Sequence, residues 1–194
     1  KDFSPISLIS RQVNVLAVHP SLPVMSVKEL VALAKAKPGA LNYGSGSIGA
    51  PAHLAAELFR SMAGVNILHV PYKSAPAALT ALLGGEVQMT ITDAGIIAPH
   101  VQSGKLRALA VTSAEPSALT PGLPTVAASL PGYESTAIIA LFATAKTPAT
   151  IINRLNQEIV RFLNRADVKE QYLTAGAEVV GSSPEQLATT MTSE

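Results

Sequence analysis

The chain has no cysteine and no tryptophan, and it has only four tyrosines and four phenylalanines among its 194 residues. The absence of cysteine excludes disulfide scaffolds, thiolate metal sites and cysteine nucleophiles. The scarcity of aromatic residues argues against a platform on which nucleic-acid bases stack. Net charge is also nearly absent, because 14 basic and 13 acidic residues give +1. This balance offers no electrostatic reason to expect nucleic acid or an anionic membrane as a partner.

Long apolar runs are missing as well. No stretch reaches the roughly 18 apolar residues of a membrane-spanning helix, so no direct membrane insertion is predicted. What is present is a composition of 48% hydrophobic and 14% charged residues, which is typical of a folded protein rather than a disordered one. The length suits one large domain or two small ones. Because the chain opens on Lys1-Asp2 without methionine or a signal peptide, we expect a processed or truncated piece.

Strand-like and helix-like patterns alternate through the first half of the chain. Residues 1–12 are predicted to be an irregular lead-in, since Pro5 interrupts any early helix. The alternation that follows predicts an α/β fold built from βαβ units on a parallel sheet. The predicted strands are 13–18, 41–43, 65–70, 87–92 and 106–111, and the predicted helices are one capped by Ser26 with Glu29 and ended by Pro38-Gly39, then 51–62, 75–83 and 95–102.

A segment rich in proline and glycine, residues 113–135, interrupts this alternation and is predicted to be a boundary or a surface loop. Regular patterns resume after it. The elements predicted there are a strand at 136–144, a helix from about 148 to 165, a short strand at 178–180, and capping boxes formed by Asp167 with Glu170 and by Ser183 with Gln186.

The residues around 41–54, with the sequence LNYGSGSIGAPAHL, read as a strand, a glycine-rich loop and the start of a helix. Glycines allow backbone N–H groups to approach a ligand closely. The start of a helix adds unpaired N–H groups and the positive end of its dipole. Together these features predict an anion site for a phosphate or a carboxylate. The predicted contacts are the hydroxyls of Ser45 and Ser47 and the amides of Gly46, Gly49 and Ala50.

The same loop contains the pattern G-x-G-x-x-G, formed by Gly44, Gly46 and Gly49. In a βαβ unit this pattern is typical of dinucleotide binding, so a nucleotide-dependent oxidoreductase is an alternative function. That function also needs an acidic residue about 20 positions later to bind the ribose. His69-Val70-Pro71 occupies that place, which weakens the alternative. The Walker pattern of a P-loop is absent.

A hydrolase triad is a further alternative, because Ser45 or Ser47 could combine with His53 and Asp93. Neither serine lies in G-x-S-x-G, and no acid is placed in the sequence to orient His53. The four histidines are scattered, whereas a metal site needs closer clustering of its ligands. We therefore predict no catalytic residue and no metal.

Three further polar residues follow the ends of predicted strands. Tyr72 and Lys73 come just after one strand, and Asp93 ends the next. Because ligands bind outside the carboxyl ends of parallel strands, these residues are expected to share one edge with the glycine loop. Lys73 could neutralise a ligand carboxylate, or it could be a solvated surface lysine. Asp93 could accept a hydrogen bond from a ligand, or it could cap the helix that follows it.

Several short motifs occur in a fixed order along the chain, and as an ordered set they resemble the Bug family of periplasmic solute-binding proteins, the tricarboxylate-transport TctC type. The likeness covers essentially the whole chain. The motifs are Asn42-Tyr43-Gly44-Ser45-Gly46-Ser47 with Gly49 and His53-Leu54, then Val70-Pro71-Tyr72-Lys73, Leu82-Leu83-Gly84-Gly85, 104–113 (GKLRALAVTS) and Leu130-Pro131-Gly132-Tyr133-Glu134.

The resemblance implies a fold like that of type II periplasmic binding proteins, with two α/β domains and a ligand cleft between them. It implies capture of a small carboxylate, a di- or tricarboxylate, for the membrane components of a tripartite tricarboxylate transporter. It also implies a periplasmic location, no enzymatic activity and no cofactor or metal. The candidate ligand-binding residues are then Ser45, Gly46, Ser47, Gly49, Ala50, His53, Tyr72, Lys73 and Asp93.

The resemblance further implies that the first domain is incomplete. Residues 13–112 would form the complete second domain, and 1–12 with 113–194 would be the remainder of the first. We expect unpaired strand edges or apolar surface there, and a tendency to self-associate. Three positions depart from the family pattern: Ala50 stands where Thr or Ser is frequent, Ser74 where Gly is usual, and Ala81 where the family has an acidic residue.

Three functions are therefore compared. The first is a carboxylate-binding module of a transporter, with no nucleic acid among its partners. The second is the nucleotide-dependent oxidoreductase that uses the 44–49 loop. The third is an effector-sensing domain of similar architecture that belongs to a regulator.

Overall fold

A computed structural model describes residues 2–193 as alternating strands and helices. The elements in chain order are β1 (Phe3–Val18), α1 (Val27–Ala36), β2 (Leu41–Ser45), α2 (Pro51–Ala63), β3 (Ile67–Pro71), α3 (Ala75–Leu83), β4 (Met89–Asp93), α4 (Ala94–Gln102), β5 (Arg107–Val111), a 3-10 turn (Val126–Ala128), β6 (Thr136–Thr144), α5 (Ala149–Leu163), α6 (Ala166–Thr174), β7 (Ala177–Val179) and α7 (Pro184–Ser193).

The chain divides into two compact units. The larger unit is the continuous segment Val13–Thr136. The smaller unit combines the residues up to Gln12 with those from Ala137 onward. Strands β1 and β6 each contribute residues to both units. The predicted α/β class is therefore present, with helices and strands in each unit.

The sheet of the larger unit has the strand order β3-β2-β4-β1-β5. Strand β2 is parallel to both of its neighbours, as the βαβ pattern predicted. Strand β1 runs antiparallel to β4 and β5, with Asn14 opposite Asp93 and Val15 opposite Val111. The three parallel strands therefore end side by side, at Ser45, Pro71 and Asp93.

Both faces of this sheet are covered by helices. Successive side chains of a strand point to opposite faces, so Leu16 and Val18 enter one core while Val15 and Ala17 enter the other. Helices α1 and α2 contribute to the first core, and α3 and α4 to the second. The first core includes the fully buried Phe59 of α2. A sheet buried on both faces explains why residues 13–18 of β1 and most of β5 are apolar runs rather than alternating patterns.

The prediction of an irregular lead-in is wrong, because β1 already begins at Phe3. Pro5 prevents a helix but does not prevent a strand, since a proline is tolerated where its missing N–H is not needed in the ladder. Ile6 and Leu8 are buried in this part of β1, and Ser10 to Gln12 pair antiparallel with β7. The lead-in therefore forms the strand around which the smaller unit is built.

Several helix boundaries follow the predicted sequence signals. Helix α3 occupies the predicted range 75–83 and is capped by Ser74, whose hydroxyl accepts from the Ala77 amide. The Ser183 and Gln186 capping box is present, with each side chain accepting from the other's backbone amide. The Asp167 and Glu170 capping box is wrong, because α6 begins at Ala166. Asp167 instead binds Arg165 through a two-point ion pair.

The proline-rich segment joins the larger unit. Thr125 forms a bridge with Val111, and Val126 and Tyr133 are buried in the first core. The Tyr133 hydroxyl donates to the Ala55 carbonyl of α2 at 2.9 Å. Because these buried side chains anchor the segment, the larger compact unit extends to Thr136. The second domain of residues 13–112 that the family resemblance implies stays a prediction.

The smaller unit packs β6 and β7 with the first part of β1, together with α5, α6 and α7. Its core includes Ile9, Leu163 and Val168. Within residues 2–193 no helix combines the length and apolar character that a membrane crossing requires.

Candidate anion-binding site

The glycine loop connects β2, which ends at Ser45, to α2, which begins at Pro51. Ala50 is the N-cap residue of α2 and has no side chain that can cap the helix. Pro51 at the first helical position lacks an N–H, which suits a helix start. The amides of the first turn of α2 are therefore not satisfied by a capping side chain.

Consecutive backbone amides in the loop have no acceptor within residues 2–193. These are the N–H groups of Gly46, Ser47 and Ile48. Ser47 and Ile48 are exposed, and Gly46 is partly exposed. Successive free amides next to a helix N-terminus form a concavity that favours an anion. The geometry therefore agrees with the anion site that the sequence predicts.

Two glycines have separate structural reasons to be in this loop. A Cβ at Gly46 would lie 2.2 Å from the backbone nitrogen of Ala75, so the loop passes against the start of α3 and leaves no space for a side chain. Gly49 has φ +82° with open space around it, a backbone conformation that L-residues rarely adopt. Close approach at one glycine and a left-handed backbone at the other thus shape the loop.

The two predicted serines occupy different environments. Ser47 is exposed, and its hydroxyl donates to the Gly46 carbonyl at 2.6 Å. Ser45 is only 2% exposed, and its Oγ lies 2.8 Å from Nε2 of His69. The Ser45 carbonyl accepts from the Tyr72 amide at 2.9 Å. Ser47 is therefore open to a ligand, whereas Ser45 ties the loop to β3.

The remaining predicted loop amides already have acceptors. The Gly49 N–H donates to Nδ1 of His53 at 3.2 Å, and the Ala50 N–H donates to the Ser47 carbonyl at 3.3 Å. His53 is in the first turn of α2 and is partly buried. The loop thus has its free amides at 46–48, and its 49–50 amides are held by groups within the loop and α2.

Aromatic rings line the inner side of the loop. His69 stacks on Tyr43 with ring centroids 4.7 Å apart, and the His53 and His69 rings are 4.5 Å apart. The parallel pairing of β2 and β3 sets Tyr43 opposite His69. Burial lowers the pKa of His69, and the nearby positive charge of His53 when protonated lowers it further.

Tyr43 also belongs to a short network with Glu57 and Arg60. The Tyr43 hydroxyl donates to the Glu57 carboxylate, and Glu57 pairs with Arg60 at 2.6 Å. Burial and the bond to Glu57 raise the pKa of Tyr43 far above its usual range. Tyr43 therefore remains a neutral donor at every physiological pH, and it belongs to the buried first core.

The structure brings the other candidates to the same edge of the sheet. Tyr72 is partly buried, with its ring beside Gly44, and burial and the Glu86 carboxylate raise its pKa. Lys73 is exposed, and no residue in 2–193 forms an ion pair with it. Both residues follow the end of β3. Of the two, Lys73 has the mobile charge that could meet a ligand anion.

Asp93 caps α4, because its Oδ1 accepts from the Gly95 amide at 2.8 Å. Burial raises the pKa of Asp93 above its usual range. The carboxylate also lies at the end of β4, next in the sheet to β2. The capping role that the sequence allowed is thus present. A ligand contact of Asp93 stays a prediction.

The triad alternative lacks its third member. Ser45 does meet a histidine, but that histidine is His69 and not His53. No carboxylate among the described residues accepts from the His69 ring, and Asp93 is used as a helix cap. No group of three or more possible metal ligands occurs within residues 2–193. The arrangement can bind an anion, but it lacks the acid that would orient a histidine base.

Sequence reasoning did not identify His69 or the Tyr43, Glu57 and Arg60 network as parts of the site. A signal was present, since Tyr43 and His69 lie at equivalent places in two consecutive predicted strands. Only the register of β2 against β3 shows that these places are opposite each other. The i, i+3 spacing of Glu57 and Arg60 on a helix also predicts an ion pair.

Comparison with known proteins finds a family match over the whole chain. A model of the tripartite tricarboxylate transporter family receptor, TctC, matches residues 1–194. The protein BugT from Bordetella pertussis is 34% identical over 187 residues, which are 96% of this chain and 57% of BugT. The chain therefore spans a little over half the length of this curated relative.

Solved structures of two proteins superimpose on nearly the whole chain. Rpa4515 of R. palustris, determined with adipate, superimposes with a TM-score of 0.84 at 36% identity and covers all of this chain and 65% of that chain. MatC (Rpa3494) from Rhodopseudomonas palustris, with bound malate, superimposes with a TM-score of 0.80 at 26% identity and covers 98% of this chain and 66% of that chain.

Proposed function

This chain belongs to the TctC family of tripartite tricarboxylate transporter receptors, and from that membership we propose that it captures a small organic carboxylate as part of a solute-binding protein. The family resemblance and the α/β binding-protein fold predicted from the sequence are thereby confirmed. We further propose that the protein acts in the periplasm and delivers its solute to the membrane components of a tripartite tricarboxylate transporter. These last points rest on the family.

The observation that carries the proposal is the row of free amides at Gly46, Ser47 and Ile48, set at the start of α2. Backbone donors and the positive end of a helix dipole bind a carboxylate without needing a fully charged side chain. The exposed Ser47 hydroxyl adds a further polar group, and Lys73 supplies a positive charge at the same sheet edge. We propose these groups as the first contacts of one ligand carboxylate.

We propose a di- or tricarboxylate as the ligand class. One relative of known structure has adipate and another has malate, and both molecules carry two carboxylates. A second carboxylate would need donors beyond the 46–48 amides. Tyr72 and Lys73 lie at the same sheet edge as the loop and are candidates for it.

The dinucleotide alternative has less support. Strand β3 ends at Pro71, and the residues that follow it are Tyr72 and Lys73 rather than an acid that could bind a ribose. No observation on the described residues favours an oxidoreductase. A sensing role would use the same site for the same ligand class, and its distinction from transport depends on the partner.

A binding experiment on the full chain tests the proposal. Calorimetric titration with adipate, malate and the uncharged diamide of adipic acid is expected to show saturable binding of at least one acid and none of the diamide. The Gly46→Ala variant is expected to lose binding by at least about tenfold, because its Cβ cannot fit against Ala75. Gly84→Ala is the control, because Gly84, at the opposite end of α3, has a negative φ and a Cβ there would meet no atom closer than 3.5 Å.

Two results would overturn the proposal. One is the absence of any response to both acids at millimolar concentration by a chain that circular dichroism shows to be folded. The other is equal affinity of the Gly46→Ala variant and the wild type, which would place the binding elsewhere.

A further inference from the structure

The side chain of His53 forms a hydrogen bond with the backbone of the glycine loop. Its Nδ1 accepts the hydrogen bond of the Gly49 amide at 3.2 Å, while the amides of Gly46, Ser47 and Ile48 have no acceptor within residues 2–193. One backbone donor of the loop is thus held by an imidazole nitrogen, which can accept this bond only while it carries no proton. The state of the loop therefore depends on the protonation of one ring nitrogen.

Protonation changes what this nitrogen can do. A neutral imidazole can accept a hydrogen bond at Nδ1, but an imidazolium carries a proton on both nitrogens and only donates. When His53 is protonated, the bond from the Gly49 amide is lost and two N–H groups face each other. The Gly49 amide becomes free to join the row at 46–48, and a positive charge appears beside the loop. Both changes favour an anion.

The surroundings of His53 decide which histidine takes the proton. The centroids of the His53 and His69 rings are 4.5 Å apart, so a positive charge on one ring disfavours protonation of the other. His69 is bonded to Ser45, and burial disfavours its charged form. Tyr43 stays neutral, with its hydroxyl on Glu57. The remaining charges near the pair are those of Glu57 and Arg60, which neutralise each other in an ion pair.

We propose that His53 is a positioning residue that makes anion capture by the 46–50 loop depend on pH, because its protonation releases the Gly49 amide. The consequence for ligands rests on the proposed function. Carboxylates bind more tightly to the protonated form, and by linkage a bound carboxylate makes His53 a stronger base. The loop thus binds its ligand more tightly as the pH falls and releases it more readily as the pH rises.

A test without ligand uses NMR on the folded chain. The Gly49 amide signal is expected to shift with pH along the same curve as the His53 ring signals. In the His53→Asn variant the Asn Oδ1 can accept from the Gly49 amide but does not titrate, so the shift is expected to disappear. A Gly49 signal that ignores His53 titration, or that follows pH unchanged in His53→Asn, would overturn the proposal.

A test with ligand compares dissociation constants for malate and adipate at pH 6 and pH 8. Wild type is expected to bind about fivefold more tightly at pH 6. His53→Asn is expected to show little difference between the two pH values, which also controls for protonation of the acids themselves. His69→Gln keeps a group at the position of Nε2 that can bond Ser45, and it is expected to retain the wild-type pH dependence.

The outcomes separate this inference from the proposed function. If the pH dependence is lost in His69→Gln but kept in His53→Asn, the effect belongs to His69, and the inference is overturned. If wild type binds neither acid at either pH, the proposed function is rejected, and the NMR titration still decides whether His53 controls the Gly49 amide. Circular dichroism melting of each variant identifies any that fail to fold, and the NMR titration of wild type needs no variant.

Discussion

The larger and the smaller unit differ in how they use their apolar residues. In the larger unit both faces of the central sheet are covered, and residues such as Phe59, Leu16 and Ile91 are essentially inaccessible. In the smaller unit much of the apolar surface remains exposed. Its exposed large apolar residues are Phe3, Ile139, Leu141, Phe142, Ile151, Leu155, Phe162, Leu173, Val180 and Met191.

The candidate site and the larger share of the exposed large apolar residues belong to different units. The glycine loop belongs to the larger unit, where the aromatic rings, the charge network and α2 that shape it are packed within one continuous segment. The smaller unit retains a modest core around Ile9, Leu163 and Val168. Exposed apolar side chains that lie together, such as those of Phe3 and Phe142, favour association with another surface. We therefore expect association to involve the smaller unit, whereas the geometry of the candidate site belongs to the larger unit.

The largest expected effect compares two phenylalanines. Phe59 of the larger unit is 1% exposed, and Phe162 of the smaller unit is 51% exposed. Phe59→Ala is expected to cost about 3–5 kcal/mol of unfolding free energy, because it leaves a cavity in a closed core. Phe162→Ala is expected to cost about 0.5–1 kcal/mol, since little area is lost from a packed environment. Urea unfolding followed by circular dichroism measures both, and equal losses would contradict the comparison.

An intermediate effect concerns strand β6. Replacing Leu141 and Phe142 with threonine keeps residues that favour strands and removes exposed apolar area. Self-association is expected to decrease, with the midpoint of thermal unfolding nearly unchanged. Light scattering over a range of concentrations measures the association. Ile48→Thr is the control, since Ile48 is 74% exposed but lies in the larger unit. A wild-type chain that is already monomeric at all concentrations would refute this prediction.

The smallest expected effect is on the pH dependence of stability, which should change in opposite directions when Asp93 and Asp167 are replaced. Burial raises the pKa of Asp93, so its ionisation costs stability as the pH rises from the unfolded value of about 4 towards the folded pKa. The bond to Arg165 lowers the pKa of Asp167, so Asp167 contributes stability above its unfolded pKa that is lost as the pH falls through the folded pKa. Asp93→Asn is therefore expected to stabilise the protein at pH 7, and Asp167→Asn to destabilise it slightly.

Melting temperatures between pH 3 and pH 8 measure this pair. Asparagine can still cap α4 at position 93, so the capping bond to Gly95 is retained in that variant. The two differences from wild type are expected to grow in opposite directions as the pH rises. Differences of the same sign would contradict the assigned causes. Because Asp167 is fully exposed, its effect is expected to be the smaller of the two.

Local signals in the sequence predicted most elements of the larger unit. Helix α3 has the predicted bounds, and Gly84 follows its last residue as the sequence indicates. The glycine loop was predicted from its residues alone. Strand β1 was missed up to Gln12 because its pairing with β7 joins residues far apart in the chain, and no local pattern reports such a pairing.

The site was predictable only in part, for a related physical reason. Which amides are free depends on acceptors that tertiary structure supplies, such as the imidazole of His53 for Gly49. The contact of Ser45 with His69 depends on the register between β2 and β3. Residue types and spacing predicted the location of the loop, whereas the hydrogen-bond partners within it required the fold.

The discontinuity of the smaller unit has a consequence for synthesis on the ribosome. Its two parts are separated by the whole segment Val13–Thr136, which is the larger unit. At about 5–20 residues per second, the first part of β1 waits roughly 6–25 s for the residues that complete its unit. The larger unit can emerge and fold in that interval. We therefore expect the nascent chain to form its glycine loop before the smaller unit has all of its strands.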